Sequence, residues 1–260
     1  ITEQGAASGQ FSLGWMFENG IGVETNYAEA ARLMLLAANQ GNPVAQGNLG
    51  WLYGKGFGVP QNFAEGLKWC KMAAEQGNSD AQKNLPWLQG ELNLANFNDQ
   101  YQKAKRYQGG NGVPKDPFQA FEWMQKAANS EAQTTEVNDA LYELGLMYKD
   151  GEGTKTNLLE SRRYIMLAAI GGQPDACYLV GQIYENGDGV SKDSYQAARY
   201  YYQAIFNLAG RNYKNQAAQR LLNLLVKESN LSKPDQQNED YLDRELANKE
   251  SLIQNLRRLQ

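Results

Sequence analysis

The sequence predicts an all-α protein, a solenoid of stacked α/α pairs, on three observations. A glycine pair recurs along most of the chain, a polar helix-start signature follows each copy in phase, and small and bulky apolar residues keep a helical spacing on both sides. The pair stands at Gly20-Ile21-Gly22, Gly56-Phe57-Gly58, Gly110-Asn111-Gly112, Gly151-Glu152-Gly153 and Gly187-Asp188-Gly189. The first glycines lie 36, 54, 41 and 36 residues apart, so the period is 36 with insertions of 18 and 5 residues at two joins.

Each unit opens on a first helix, A, best seen in Ala45-x-x-x-Leu49-Gly50-x-x-Tyr53, Ala140-x-x-x-Leu144-Gly145-x-x-Tyr148 and Ala176-x-x-x-Val180-Gly181-x-x-Tyr184, where i, i+4, i+8 spacing marks one face. The first copy keeps Leu13-Gly14 and places Phe17 at the tyrosine position. The glycine pair then releases helix A through positive φ angles. Gly54-x-Gly56-x-Gly58 has the outline of a phosphate-cradling loop, but it follows a helix rather than a strand and lacks a Lys-Ser/Thr pair, so it reads as a turn.

The second helix, B, starts at Asn26, Asn62, Asp116, Asn157 or Asp193, with Glu29, Glu65, Gln119, Glu160 or Gln196 three residues on. That spacing predicts a capping box: the short side chain accepts from the first turn, and the Glu or Gln reaches back to the cap residue's own N–H. Small residues follow at Ala30, Gly66, Ala120, Ser161 and Ala197, and bulky ones at Leu33, Trp69, Trp123, Tyr164 and Tyr200, the combination that lets helices approach closely. A return ending in Gly41, Gly77 or Gly172 closes the unit.

The third copy, 78–128, is irregular. Asn78 to Leu85 begins like helix A but meets Pro86, and a fresh helix A is expected near Asp99 to Tyr107, so the extra residues imply an added or a bent helix. Ser130 to Asn138 is expected as a surface loop. The five copies and a capping helix over 211–229 give a repeat domain of 1–229; a polar linker and an amphipathic helix with Leu242, Leu246, Ile253 and Leu256 on one face occupy 230–260. This last helix is expected to fold back on the stack or to meet a partner.

Composition excludes much chemistry. The chain has no histidine, which removes Ser-His-Asp and Cys-His nucleophile arrangements and histidine zinc sites. Its 29 acidic residues outnumber 25 basic ones, for a net charge of −4 without a basic stripe, so nucleic acid is not an expected partner. No apolar run is long enough to span a bilayer. The two cysteines, Cys70 and Cys177, read as buried thiols. The recurrent acids are accounted for by caps and turns, so no catalytic residue, metal or cofactor is expected.

The pattern A-x-x-x-L-G-x-x-Y-x-x-G-x-G-V, with Lys71-Met72-Ala73-Ala74-Glu75-Gln76-Gly77 closing a copy, closely resembles the Sel-one-like repeats, relatives of the tetratricopeptide repeats, over residues 5 to 210. The resemblance implies a right-handed α/α superhelix and a non-enzymatic adaptor that binds a protein or peptide in its concave groove. An alternative it also implies is an immunity protein that neutralises an antibacterial toxin, and bacterial relatives suggest a periplasmic or envelope location, with a cytoplasmic one as the alternative. The pairing of cysteines within a repeat, known in one branch, cannot be carried over. If helix A lines the groove as in tetratricopeptide repeats, the ridge is Phe11 and Trp15, Gly47 and Trp51, Tyr101 and Lys105, Tyr142 and Leu146, and Tyr178 and Gln182. These aromatics would anchor a partner or pack between A helices. Self-association is left open by the sequence.

Overall fold

The computed structural model describes residues 3–206, 213–227 and 249–258, and these are all-helical, with twelve helices and no strand among the described residues. They are α1 (Glu3–Asn19), α2 (Tyr27–Asn39), α3 (Pro43–Lys55), α4 (Phe63–Glu75), α5 (Ser79–Gly109), α6 (Pro117–Ala128), α7 (Glu136–Asp150), α8 (Leu158–Ile170), α9 (Pro174–Asn186), α10 (Ser194–Phe206), α11 (Lys214–Lys227) and α12 (Lys249–Arg258). The chain forms two compact units, one of Ile1–Asn96 with Glu131–Gln133 and one of Phe97–Ser130 with Thr134–Gln260. The linker expected at Ser229 to Asp240, and Leu242 and Leu246 of the last amphipathic stretch, lie outside the described residues.

The expected turn is built the same way five times. Both glycines of every pair have positive φ, between 69° at Gly20 and 80° at Gly187. In the second copy the Leu52 carbonyl accepts from Gly56 N–H at 2.8 Å and from Phe57 N–H at 3.1 Å, which closes the helix end. That leaves the carbonyl of the next residue, Tyr53, without a partner in its own helix. It accepts from the N–H of Asn62, the cap of the following helix, at 2.9 Å. The same bond joins Asn26 to Phe17, Asp116 to Tyr107, Asn157 to Tyr148 and Asp193 to Tyr184.

This bond corrects half of the capping-box expectation. Each cap side chain does accept from the backbone N–H of Glu29, Glu65, Gln119, Glu160 or Gln196, a contact worth about 1 kcal/mol per helix. The return bond is displaced, because the cap N–H already donates to helix A. The freed carboxylates turn outward: Glu29 pairs with Arg32, Glu65 with Lys68 and Glu160 with Arg163.

Close packing explains several glycines besides. At the α3–α4 crossing, a Cβ on Gly50 would stand 2.5 Å from the Cys70 sulfur and 2.8 Å from the Gly66 carbonyl, so both crossing residues must lack side chains. In the second and fourth copies the second glycine of the pair serves the neighbouring repeat: a Cβ on Gly58 would lie 2.0 Å from the Tyr27 carbonyl, and one on Gly153 would lie 1.9 Å from that of Pro117. In these two copies the turn therefore sits on the first turn of the preceding helix B.

In the first unit, Ala31, Met34, Ala37 and Ala38 of α2 pack with Ala45, Leu49 and Leu52 of α3 and Trp69 of α4. Leu67, Cys70 and Ala73 of α4 pack with Ala81 and Leu88 of α5. The third-copy irregularity is resolved as neither an added nor a separate helix, since α5 runs unbroken for 31 residues with Pro86 inside it. Pro86 forfeits a backbone bond at a cost of about 3 kcal/mol. Burial of Leu88, the seating of Trp87 against Gly54 and the Lys55 ammonium 4.2 Å from the Trp87 ring offset that cost. The 18 additional residues amount to about five helical turns, so the helix returns in phase and ends in the same glycine turn as the other copies.

In the second unit α7 pairs with α8 and α9 with α10, and α11 packs on α10. Leu221 and Leu225 of α11 and Leu252 and Leu256 of α12 are buried in one cluster with Tyr201 and Ile205 of α10, so the described part of the last helix lies against the stack.

Candidate functional site

The ridge positions fall in both units, and each unit treats them differently. In the first unit Phe11 and Trp51 are half-buried against the α2–α3 cluster. Trp15, one turn along α1 from Phe11, remains 43% exposed. Gly47 is buried where α3 meets Ala81, and its carbonyl faces the Cys70 thiol at 3.8 Å. Trp51 extends outward into an aromatic row not read from the sequence: its ring meets Phe57 edge-on at 5.4 Å, and Phe57 meets Tyr27 at 4.9 Å. Phe57 and Tyr27 are each 38% exposed. The available signal was the aromatic residue between the two glycines of the second copy; its consequence depends on Gly58 seating that turn over Tyr27.

In the second unit the ridge residues are bound by neighbouring parts of the fold. Tyr101 hydroxyl donates to Glu143 Oε1 at 2.8 Å and Lys105 Nζ pairs with Glu143 Oε2 at 2.9 Å, joining α5 to α7. Tyr142 is half-buried and hydrogen-bonded to Tyr213; burial first, then the neighbouring Tyr213 and Asp175, push its hydroxyl pKa well above the usual tyrosine range. Tyr178 is buried and stacks on Tyr213 at 4.6 Å. Its hydroxyl accepts from Gln182 Nε2 at 3.2 Å. Leu146 packs against the same core.

That network continues into a charged pair. Arg220 of α11 donates to Glu185 Oε2 at 2.8 Å, and the Tyr201 hydroxyl donates to the same oxygen at 2.6 Å. Burial opposes the charge on Arg220, but its hydrogen bonds to Glu185 and Tyr178 outweigh that cost and raise its pKa. Tyr201 is pushed upward by burial and by its bond to Glu185. Five of the expected ridge residues, Tyr101, Lys105, Tyr142, Tyr178 and Gln182, are thus engaged within the fold.

Among the described residues, no three histidine, cysteine or acidic side chains cluster as a metal site would require. Both cysteines are buried and unpaired with each other; burial pushes Cys70 up to about 11 and Cys177 up to about 12. Burial raises the carboxyl of Glu18, and one of its oxygens is buried without a hydrogen-bond partner. No helix among the described residues is long and apolar enough to cross a membrane.

Comparison with known families agrees with this architecture. The Sel1 repeat pattern matches residues 7–42, 43–78, 99–131, 138–172 and 174–205, leaving unmatched the front of α5 where the third copy is lengthened. No curated protein sequence matches the chain. Among solved structures, a protective antigen of uropathogenic Escherichia coli strains with an SLR fold is 25% identical over 96% of this chain, with a TM-score of 0.45; this chain spans only 54% of that protein. A Sel1 repeat protein from Oxalobacter formigenes is 28% identical over 96% of this chain and 87% of its own, with a TM-score of 0.41. An immunity protein from Pseudomonas aeruginosa is 18% identical over 96% and 81% respectively, with a TM-score of 0.30.

Proposed function

The chain belongs to the Sel1 repeat family, whose members are commonly protein-interaction scaffolds, and from that membership we propose that it is a non-enzymatic adaptor that takes a protein or peptide partner on the aromatic ridge of its first unit. The observation that carries the reading is the exposure of Trp15, 43%, beside half-buried Phe11 on α1. A large aromatic left in water on a rigid helix loses little conformational freedom on binding and removes a large apolar area from solvent, as interface anchors do. Trp51, Phe57 and Tyr27 add to that surface. The ridge of the second unit supports the fold, with Tyr101, Lys105, Tyr142, Tyr178 and Gln182 holding neighbouring elements together. An envelope location belongs to the same proposal and is tested by cell fractionation.

The test is affinity capture from the native organism with the wild type and Trp15→Ala. Loss of a specific partner by the variant, at unchanged helical content, is the expected outcome. Equal recovery of every partner by both proteins would sink the reading.

A further inference from the structure

We propose that Asn111, in the glycine turn of the third copy, is a site of spontaneous covalent modification that converts it through a cyclic imide to aspartate and isoaspartate. The chemistry needs an Asn or Asp followed by glycine, whose missing side chain leaves the approach open. The glycine's backbone nitrogen bonds to Cγ of the side chain and gives up its proton, and the Cγ–Nδ2 bond breaks to release ammonia. Water then opens the imide at either carbonyl, so one water is consumed, one ammonia leaves and nothing is oxidised or reduced. The step is intramolecular, and its rate follows how freely the two groups can reach one another.

Five such pairs lie among the described residues: Asn19-Gly20, Asn111-Gly112, Asp150-Gly151, Asn186-Gly187 and Asp188-Gly189. The fold restrains four of them. Asn19, Asp150 and Asn186 end helices α1, α7 and α9. The Gly151 N–H is committed to the Met147 carbonyl, and that of Gly187 to the Ile183 carbonyl at 2.9 Å. The amide of Asn19 donates to the Trp15 carbonyl, and that of Asn186 to the Asp188 carboxylate. Asp188 stands in a turn clasped by Arg162, which donates to its carbonyl at 2.7 Å and fills the space beside Gly189.

Asn111 has none of these restraints. Its backbone N–H donates to the Arg106 carbonyl at 3.0 Å, but its side chain and the Gly112 N–H are not hydrogen-bonded to any described residue. Both residues are exposed. A Cβ at Gly112 would meet nothing within 4 Å, whereas at Gly58, Gly153 and Gly189 it would collide with Tyr27, Pro117 and Arg162. The residue ahead of the pair is Asn19, Lys55, Asp150 or Asn186 in the other copies and Gly109 here, where a Cβ would stand 3.0 Å from Asn111 Nδ2. Nothing therefore has to open before nitrogen and Cγ meet. The product adds one negative charge to a chain of formal charge −4, and its isoaspartyl form routes the backbone through the former side chain between α5 and α6.

The experiment incubates the purified full chain at mildly alkaline pH, native or unfolded in guanidinium, and follows the peptides holding Asn19, Asn111 and Asn186 by mass spectrometry. Isoaspartate is identified by its labelling with an isoaspartyl methyltransferase. In the native chain Asn111 should convert at least about tenfold faster than Asn19 or Asn186. In guanidinium the three rates should converge. Asn111→Gln keeps an amide but would need a larger ring, and it should lose the conversion at unchanged helical content. A native Asn111 that reacts no faster than the other two, or a mass gain in that peptide that persists in Asn111→Gln, overturns the proposal. A rate gap undiminished in guanidinium would place the selectivity in the neighbouring sequence rather than in the fold and equally overturn it.

Discussion

Trp15 in the first unit holds the same repeat position as Gln182 in the second, yet Trp15 stands 43% exposed while Gln182 is half-buried and donates to the hydroxyl of Tyr178, itself 7% exposed. The difference comes from what lies across from them. Tyr178 faces Tyr213, just ahead of α11, and Arg220 within it, which give its ring a stacking partner and its hydroxyl hydrogen bonds. Among the described residues, no ring contact and no side-chain hydrogen bond plays that part for Trp15. One repeat position can therefore be tied into the fold in one copy and left exposed in another, and the choice is made by the neighbouring element rather than by the residue's own helix.

The comparison can be broken by measuring the stability of variants in both units with urea denaturation. Tyr178→Ala removes a buried ring and should cost about 3 to 4 kcal/mol. Glu185→Ala leaves Arg220 and the Tyr201 hydroxyl without their shared acceptor; both charged groups are partly solvated, so about 2 kcal/mol is expected. Tyr101→Phe deletes one hydrogen bond to a half-buried carboxylate and should cost about 1 kcal/mol. Trp15→Ala should change stability by no more than about 0.5 kcal/mol. A loss at Trp15 as large as that at Tyr178 would erase the distinction between the units.

The thiols sharpen the comparison as a control in which the units behave alike. Unfolded thiols ionise near 9, but burial holds Cys70 protonated to about 11 and Cys177 to about 12. The folded chain thus binds protons that the unfolded chain releases, and stability falls as pH climbs from 9 towards 11. Replacing both cysteines with alanine should make that decline shallower. An unchanged slope would show that the thiols ionise as readily in the fold as outside it.

Local chemistry was legible wherever a signal and its effect lie within one turn of helix. Asn26, Asn62, Asp116, Asn157 and Asp193 could be read as caps because each side chain meets an N–H two or three residues away. The missing return bond was not legible, since it depends on the cap N–H reaching a carbonyl nine residues earlier, across the turn. Pro86 argued for a break on local grounds and was overruled by the burial of Leu88 and the seating of Trp87, which are contacts with the preceding repeat. The ridge was legible as a list of residues, but not the division within it. That division turns on where Tyr213 and Arg220 lie, and the linear pattern of α11 shows only an amphipathic cap.

The direct test of that division is site-specific photo-crosslinking in living cells of the native organism, with a photoreactive phenylalanine analogue placed at position 15 or at position 182. Position 15 should yield a discrete crosslinked species containing another polypeptide, and position 182 should yield none. Crosslinks from position 182, with position 15 silent, would contradict the assignment of recognition to the first unit.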